Sequence, residues 1–186
     1  MNLILASKSP RRAQLLRKMN ITFKIEDSKL DESKYLIKDP KKYCQKLANA
    51  KAKSVLVKFN DSTIIGADTI VEIDNEILEK PSDFKEAYNM LRTLSGKKHN
   101  VYTGISIISS IFEINFVEKT TVKFFEISKD DIKTYIKKNK PYDKSGSYGI
   151  QDESMIFVDY IVGNYENIIG LPVSRVYNCL KKLKII

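Results

Sequence analysis

The sequence predicts an α/β fold built on a mixed sheet, and three observations carry that expectation. In the first half, short aliphatic and β-branched runs alternate with segments of helical periodicity. In the second half, two long strand-like runs follow one another across a short connection, as antiparallel hairpins do. No internal repeat or low-complexity linker interrupts the 186 residues, so one domain covering 1–186 is expected.

The first run, Leu3-Ile4-Leu5-Ala6, reads as a short buried strand. Beyond Ser7-Lys8, Ser9 suits an N-cap and Pro10 the first helical position, with Leu15, Leu16 and Met19 at helical spacing. Arg11 and Arg12 fall in that first turn, where the helix dipole disfavours cations. Free backbone N–H groups, the hydroxyls of Ser7 and Ser9 and two guanidinium groups together make an anion site, with phosphate the fitting anion. Two solvated arginines on a basic chain are the plainer alternative.

Residues 21–25 alternate as a strand and lead into the acidic loop 27–32. Asp39 caps and Pro40 opens a helix to Phe59, with Tyr43, Leu47, Ala50 or Lys51, Ser54 and Val57 down one side. Pattern alone does not lift Lys51 above Lys46 or Lys53. Residues 63–73 form a strand apolar on both faces except at Gly66-Ala67-Asp68-Thr69. A carboxylate is expensive to bury in a β-branched run unless it is paired or near solvent, and a glycine there often marks close approach. Asp68 is therefore the first candidate for a catalytic carboxylate, against a purely structural one.

Asp74-Asn75-Glu76 turns the chain, and the return strand 77–79 ends at Lys80-Pro81, bringing Lys80 toward the Asp68 end of the sheet. Asp83 and Glu86 form a capping box for a helix to Leu94, with Ala87, Met90, Leu91 and Leu94 inward and Ser95-Gly96 closing it. Residues 99–109 and 112–127 read as a long hairpin, the second strand broken near Glu118. His99, with no second histidine to join it, reads as a hydrogen-bonded structural residue. Ser128 and Asp131 pair at the start of a helix to Asn139, which Lys140-Pro141 stops. The loop 141–152 is long, polar and glycine-containing, the kind that carries function, and it holds Gln151. A strand over 155–162, a turn at Gly163-Asn164 and a helix opened by Pro172, with Val173, Val176, Tyr177 and Leu180 inward, complete the chain.

Hydrophobic residues make up 42% of the chain, which excludes disorder as its main state. The formal charge is +9, but the lysines are scattered and no basic stripe is interleaved with aromatics, so charge does not point to nucleic acid. No apolar run approaches the ~20 residues of a membrane span, and Met1-Asn2-Leu3-Ile4 does not begin a secretory leader. Cys44 and Cys179 lie far apart without a CxxC, which excludes a Cys/His zinc site beside a single histidine. Both read as small buried hydrophobes in a reducing compartment, so a cytoplasmic location is expected. The P-loop pattern GxxxxGK[ST] is absent.

Taken in order, several segments resemble the Maf family of nucleoside triphosphate pyrophosphatases over nearly the whole length. They are Leu5-Ala6-Ser7-Lys8-Ser9-Pro10-Arg11-Arg12, Asp31-Glu32, Leu47-Ala48 with Lys51-Ala52, Gly66-Ala67-Asp68-Thr69-Ile70-Val71 and Glu79-Lys80-Pro81. Met90-Leu91 with Leu94-Ser95-Gly96, His99-Asn100-Val101-Tyr102-Thr103-Gly104, Gly149-Ile150-Gln151 and Ile169-Gly170-Leu171-Pro172 complete them. The resemblance implies an elongated mixed sheet with two lobes and a central cleft, similar to the inosine triphosphate pyrophosphatases. It implies cleavage of a nucleoside triphosphate between its α- and β-phosphates, with a divalent cation, Mg²⁺ or Mn²⁺, and a homodimer. It gives Asp68 the role of proton acceptor and places Ser7, Ser9, Arg12, Lys51 and Lys80 on the substrate. Glu32 joins the active-site positions, and Asp68 or Glu32 would hold the metal ion. Arg11, Thr69 and Gln151 match the positions that set base preference, in the form that resembles the subfamily acting on dTTP and UTP. Activity on 7-methyl-GTP or another non-standard nucleotide is the nearest alternative, and a non-catalytic cell-division regulator or nucleic-acid binder a more distant one. The chain departs from the family pattern at Asn20, at Lys144-Ser145-Gly146 and at Asp152, where glycine is common; Asp152 is expected to add negative charge near the base pocket.

Overall fold

The computed structural model describes residues 2–35 and 37–186; Met1, the first residue of the stretch read above for a leader, and Leu36 lie outside them. Among the described residues the strands are β1 (Asn2–Ala6), β2 (Lys24–Ile25), β3 (Ser62–Ile73), β4 (Glu76–Leu78), β5 (Lys98–Ile108), β6 (Glu113–Phe124) and β7 (Val158–Val162). The α-helices are α1 (Pro10–Lys18), α2 (Pro40–Leu56), α3 (Phe84–Leu94), α4 (Lys129–Asn139), α5 (Tyr165–Ile169) and α6 (Val173–Lys182). The strands hydrogen-bond in the order β2-β1-β3-β5-β6-β7, with β4 on β3. β1 runs parallel to both β2 and β3, whereas β3/β4 and β6/β7 are antiparallel, so the sheet is mixed as expected.

The chain divides into two compact units. Unit 1 holds the residues up to Asp68, Thr103–Glu118 and Gly170–Ile186; unit 2 holds Thr69–Tyr102 and Lys119–Ile169. In unit 1, Ile4, Ala6, Ala52, Val55, Ile64 and Ile108 form a buried cluster under α2. The close packing of α2 has a specific cause. A Cβ on Gly66 would lie 2.1 Å from the Ala48 carbonyl oxygen, and one on Gly104 would lie 2.4 Å from that of Cys44. Backbone meets backbone there, so the helix face must be small: Cys44, Ala48 and Ala52 are all buried. In unit 2, Phe124 is the centre of an aromatic group, with edge-on rings of His99 at 4.8 Å and Tyr148 at 4.9 Å. Ala87, Leu91 and Leu94 of α3 and Ile132, Tyr135 and Ile136 of α4 pack in the same core.

Several local expectations are corrected. The α2 stripe turns by one position because its buried face follows the small residues: Val55 is buried, whereas Val57 caps the helix and is 85% exposed. The strand over 21–25 shrinks to Lys24–Ile25, at the end of the strand order beside β1. The strand 112–127 spans Glu113–Phe124 and runs unbroken through Glu118. Residues 155–157 of the strand expected over 155–162 belong instead to a 3-10 turn, Glu153–Phe157, because the Asp152 carboxylate accepts from Ser154 N and caps it. Residues 165–169, between the turn at Gly163-Asn164 and the last helix, are helical. On α6, Val176 and Leu180 are buried but Tyr177 is exposed. Cys44 is buried and its thiol pushed up to about 12 by burial, an inert hydrophobe; Cys179 is only partly buried.

Candidate active site

The capping geometry expected at the start of α1 is present. Ser9 is extended (φ −63°, ψ 115°) and its Oγ accepts from Arg12 N at 3.4 Å. The Ser7 hydroxyl is nearly buried and accepts from Ser9 N at 3.2 Å and from Arg12 Nη1 at 3.0 Å. Arg12 Nε donates to the Gly170 carbonyl at 2.8 Å. The Arg12 guanidinium is thus folded back over the loop and pinned to the segment before α6, which overturns the plainer reading of a solvated arginine. Burial lowers its pKa from the ordinary value, opposed by the charge of Asp68.

Lys51 sits on the buried face of α2, one turn beyond Ala48, and is 7% exposed. Its ammonium lies 2.5 Å from Asp68 Oδ1 and 2.8 Å from Glu32 Oε1, joining the middle of β3 to the 3-10 turn Glu32–Tyr35. Asp68 is 6% exposed. Burial raises its carboxyl above the ordinary carboxylate range, while Lys51 and Arg12 pull the other way and Glu32 adds to the rise. A buried carboxylate of raised basicity, kept paired by an ammonium, has the properties of a general base. Ser7, Ser9, Arg12, Glu32, Lys51 and Asp68 all belong to unit 1, together with Arg11, whose positive charge works against that of Arg12.

Thr69, Lys80 and Gln151 belong to unit 2. Thr69 follows Asp68 directly, and its carbonyl accepts from Ser145 Oγ at 2.9 Å. Lys80 is exposed, two residues beyond the end of β4. The carbonyl of Glu79 accepts from Gly146 N at 3.1 Å. Gln151 is exposed. The negative charge expected from Asp152 is met within unit 2 by the Tyr135 hydroxyl at 3.2 Å, Ser154 N at 3.0 Å and, more distantly, Lys144 Nζ at 3.9 Å.

Among the described residues no group of three or more His, Cys, Asp or Glu side chains could hold a metal ion by itself. Glu32 and Asp68, sharing the Lys51 ammonium, nevertheless supply two hard carboxylate donors. Mg²⁺ commonly takes one or two carboxylates from protein and the rest of its shell from water and phosphate oxygens, so the donor set fits such an ion together with a phosphate ligand.

Sequence reasoning missed the Gly170 carbonyl as the second anchor of Arg12, and nothing in the pattern marks a backbone acceptor so far along the chain. Lys51 stands out only once the buried face of α2 is known: it shares the turn spacing of Cys44, Ala48 and Val55, and a lysine on a buried face requires a carboxylate partner.

The model of the Maf-like protein family matches residues 2–183. The chain belongs to the Maf family. This Maf protein is 46% identical to the dTTP/UTP pyrophosphatase of Thermosipho africanus (strain TCF52B), across 97% of its own length and 92% of that protein's. It is 44% identical to the dTTP/UTP pyrophosphatase of Koribacter versatilis (strain Ellin345), across 98% and 94% of the two chains. With that of a Geobacillus species (strain WCH70) the identity is 46%, across 97% of each chain.

Proposed function

We propose that this Maf protein is a nucleoside triphosphate pyrophosphatase that hydrolyses dTTP and UTP between the α- and β-phosphates, releasing the nucleoside monophosphate and pyrophosphate in the cytoplasm. The observation that carries the reading is the buried Asp68 carboxylate held by Lys51 beside Arg12 and the start of α1. Near-full-length relatives named for the same reaction support it.

Phosphoanhydride hydrolysis needs a positioned water and neutralised oxygens more than covalent help. Asp68 accepts the proton of the attacking water as its oxygen bonds to phosphorus and the bridging P–O bond breaks. Lys51 keeps that carboxylate ionised and oriented. The α1 N–H groups, the hydroxyls of Ser7 and Ser9, and Arg12 take phosphate oxygens, and Lys80 is a further phosphate-binding cation. Glu32 and Asp68 would hold a Mg²⁺ or Mn²⁺ ion, which would neutralise the triphosphate further. Arg11, Thr69 and Gln151 select the base; an amide offering both donor and acceptor suits the carbonyl and N–H edge of uracil or thymine and leaves polar groups unpaired against cytosine.

The test is pyrophosphate release from dTTP, UTP, CTP, GTP and 7-methyl-GTP, each with Mg²⁺ and with Mn²⁺. Fastest turnover of dTTP and UTP is the expected result, and a clear purine preference would overturn the assignment of Gln151.

A further inference from the structure

Gln151 is exposed, yet the chain on both sides of it is fixed. The Gly149 carbonyl accepts from Asp152 N at 2.9 Å and from Ser154 Oγ at 2.9 Å, so the segment closes on itself around residues 150 and 151. Ser154 is fully buried. The element that joins this small ring to the core is the side chain immediately after Gln151. Asp152 Oδ1 accepts from Ser154 N at 3.0 Å, and the Tyr135 hydroxyl lies 3.2 Å from each carboxylate oxygen.

Tyr135 is a buried α4 residue, its ring edge-on to Phe157 at 5.4 Å. Its phenol is raised well above the ordinary value, first by burial and then by the charge of Asp152, which keeps it a donor. Gly149 makes room for this arrangement: a Cβ there would lie 2.8 Å from Asp152 Oδ2 and 2.8 Å from Lys144 Cε.

We propose that Asp152 is a positioning residue for base selection: it clamps the Gln151 loop to Tyr135 of α4 and so fixes the amide that reads the pyrimidine. This rests on the reading of Gln151 as a base-selecting residue. A solvent-exposed amide discriminates only if its backbone is held, because its own rotamers are numerous and a misplacement of about 1 Å is enough to cost on the order of 10²-fold in a positioned reaction. The carboxylate of Asp152 therefore acts through the loop and has no contact with the reacting phosphates to make.

The experiment compares kcat/KM for UTP with that for CTP in wild type, Gln151→Ala, Asp152→Ala, Asp152→Asn and Tyr135→Phe, with thermal midpoints of each. Asp152→Ala is expected to lower the UTP/CTP ratio about 10-fold, the loss entering through the KM for UTP rather than through kcat. Asp152→Asn keeps the oxygen that accepts from Ser154 N and the Tyr135 hydroxyl, and should retain most of the ratio. Tyr135→Phe leaves the ring in the core and removes only the hydroxyl, so it should lower the ratio about threefold; if Asp152→Ala does not fold, this variant decides. A purely structural cap would lower the thermal midpoint in Asp152→Ala and leave the ratio at its wild-type value, and that result overturns the proposal. Collapse of the ratio in Gln151→Ala with none in Asp152→Ala or Tyr135→Phe leaves the base reading standing and refutes the clamp. A wild-type ratio in Gln151→Ala refutes both.

Discussion

Lys51 and Lys80 are both assigned to the triphosphate, and the two units treat them differently. Lys51 in unit 1 is 7% exposed and touches two carboxylates; Lys80 in unit 2 is exposed, two residues beyond the short strand β4. The contrast extends to the rest of each unit. Unit 1 sets its candidate residues against one another as charges: Lys51 with Glu32 and Asp68, and Arg12 within the field of Asp68. Unit 2 places Thr69, Lys80 and Gln151 on backbone that other groups anchor. Ser145 binds the carbonyl of Thr69, Gly146 that of Glu79, the Tyr148 hydroxyl meets His99 Nε2 at 2.8 Å, and Asp152 meets Tyr135. Buried charges tune basicity and proton transfer, whereas anchored backbone tunes fit. Rate should therefore be most sensitive to the charged cluster of Glu32, Lys51 and Asp68 in unit 1, and discrimination to Arg11 and to the anchored Thr69 and Gln151 of unit 2.

The largest effect that would sharpen this division is expected from Asp68→Asn. Loss of the proton acceptor should lower kcat on the order of 10³-fold, about 4 kcal/mol of barrier, without altering the circular dichroism spectrum. Retention of a tenth of the wild-type rate would place the base elsewhere. Next comes Lys51→Met, which leaves Asp68 buried without its ammonium. Breaking a buried pair from one side should reduce stability by about 3 kcal/mol in urea titrations. Because Lys51 lowers the Asp68 pKa, its removal should also move the acid limb of kcat to higher pH. An unshifted limb would show that Lys51 does not govern the carboxylate.

Much of the fold was legible because caps and periodicity are local. Ser9, Asp39, Asp83 and Ser128 each cap the helix expected of them. Asn20, one of the departures from the family pattern, takes the left-handed conformation that asparagine tolerates, with φ 54°. Asp68 stood out because a carboxylate in an aliphatic strand conflicts with its surroundings. What could not be read depends on partners distant in sequence. Arg12 ends on the Gly170 carbonyl, 158 positions away, and Lys51 differs from Lys53 only by the face α2 turns to Gly66 and Gly104. The 3-10 turn after Asp152 was misread as strand because Met155 and Ile156 have the composition of a strand, while the deciding signal was the cap before them.

Acid should pull the two units in opposite directions. Asp68 has its pKa raised by burial, so in the range between its unfolded and folded values the folded state binds the extra proton. Its stabilising effect is complete below the unfolded pKa and is lost as pH rises through the folded one. His99 in unit 2 is the reverse: burial lowers it to about 3, and as the single histidine of the chain it can be followed alone. The unfolded state takes up the proton first, so His99 contributes stability above its unfolded pKa of about 6.5 and loses it as pH falls. Between pH 7 and pH 5 the loss should be about 2 kcal/mol, at about 1.4 kcal/mol per pH unit below pH 6.5. Urea midpoints across that range in wild type and His99→Gln measure it. An equal slope in the variant would mean that His99 is protonated alike in both states.

The smallest effect is the one that could break the comparison. Lys80→Ala removes an exposed ammonium, so the urea midpoint should move by no more than about 0.5 kcal/mol in equivalent stability. If Lys80 takes a phosphate, KM for dTTP and UTP should rise together while their ratio to CTP stays fixed, because a phosphate contact carries no information about the base. The rise should shrink as salt is added, since an exposed charge is screened within a Debye length of about 8 Å at physiological ionic strength. A changed UTP/CTP ratio would instead make Lys80 part of base selection and would blur the division within unit 2. A loss of stability approaching that of Lys51→Met would remove the distinction between the two lysines altogether, showing that Lys80, although exposed, is held by partners as structural as those of Lys51.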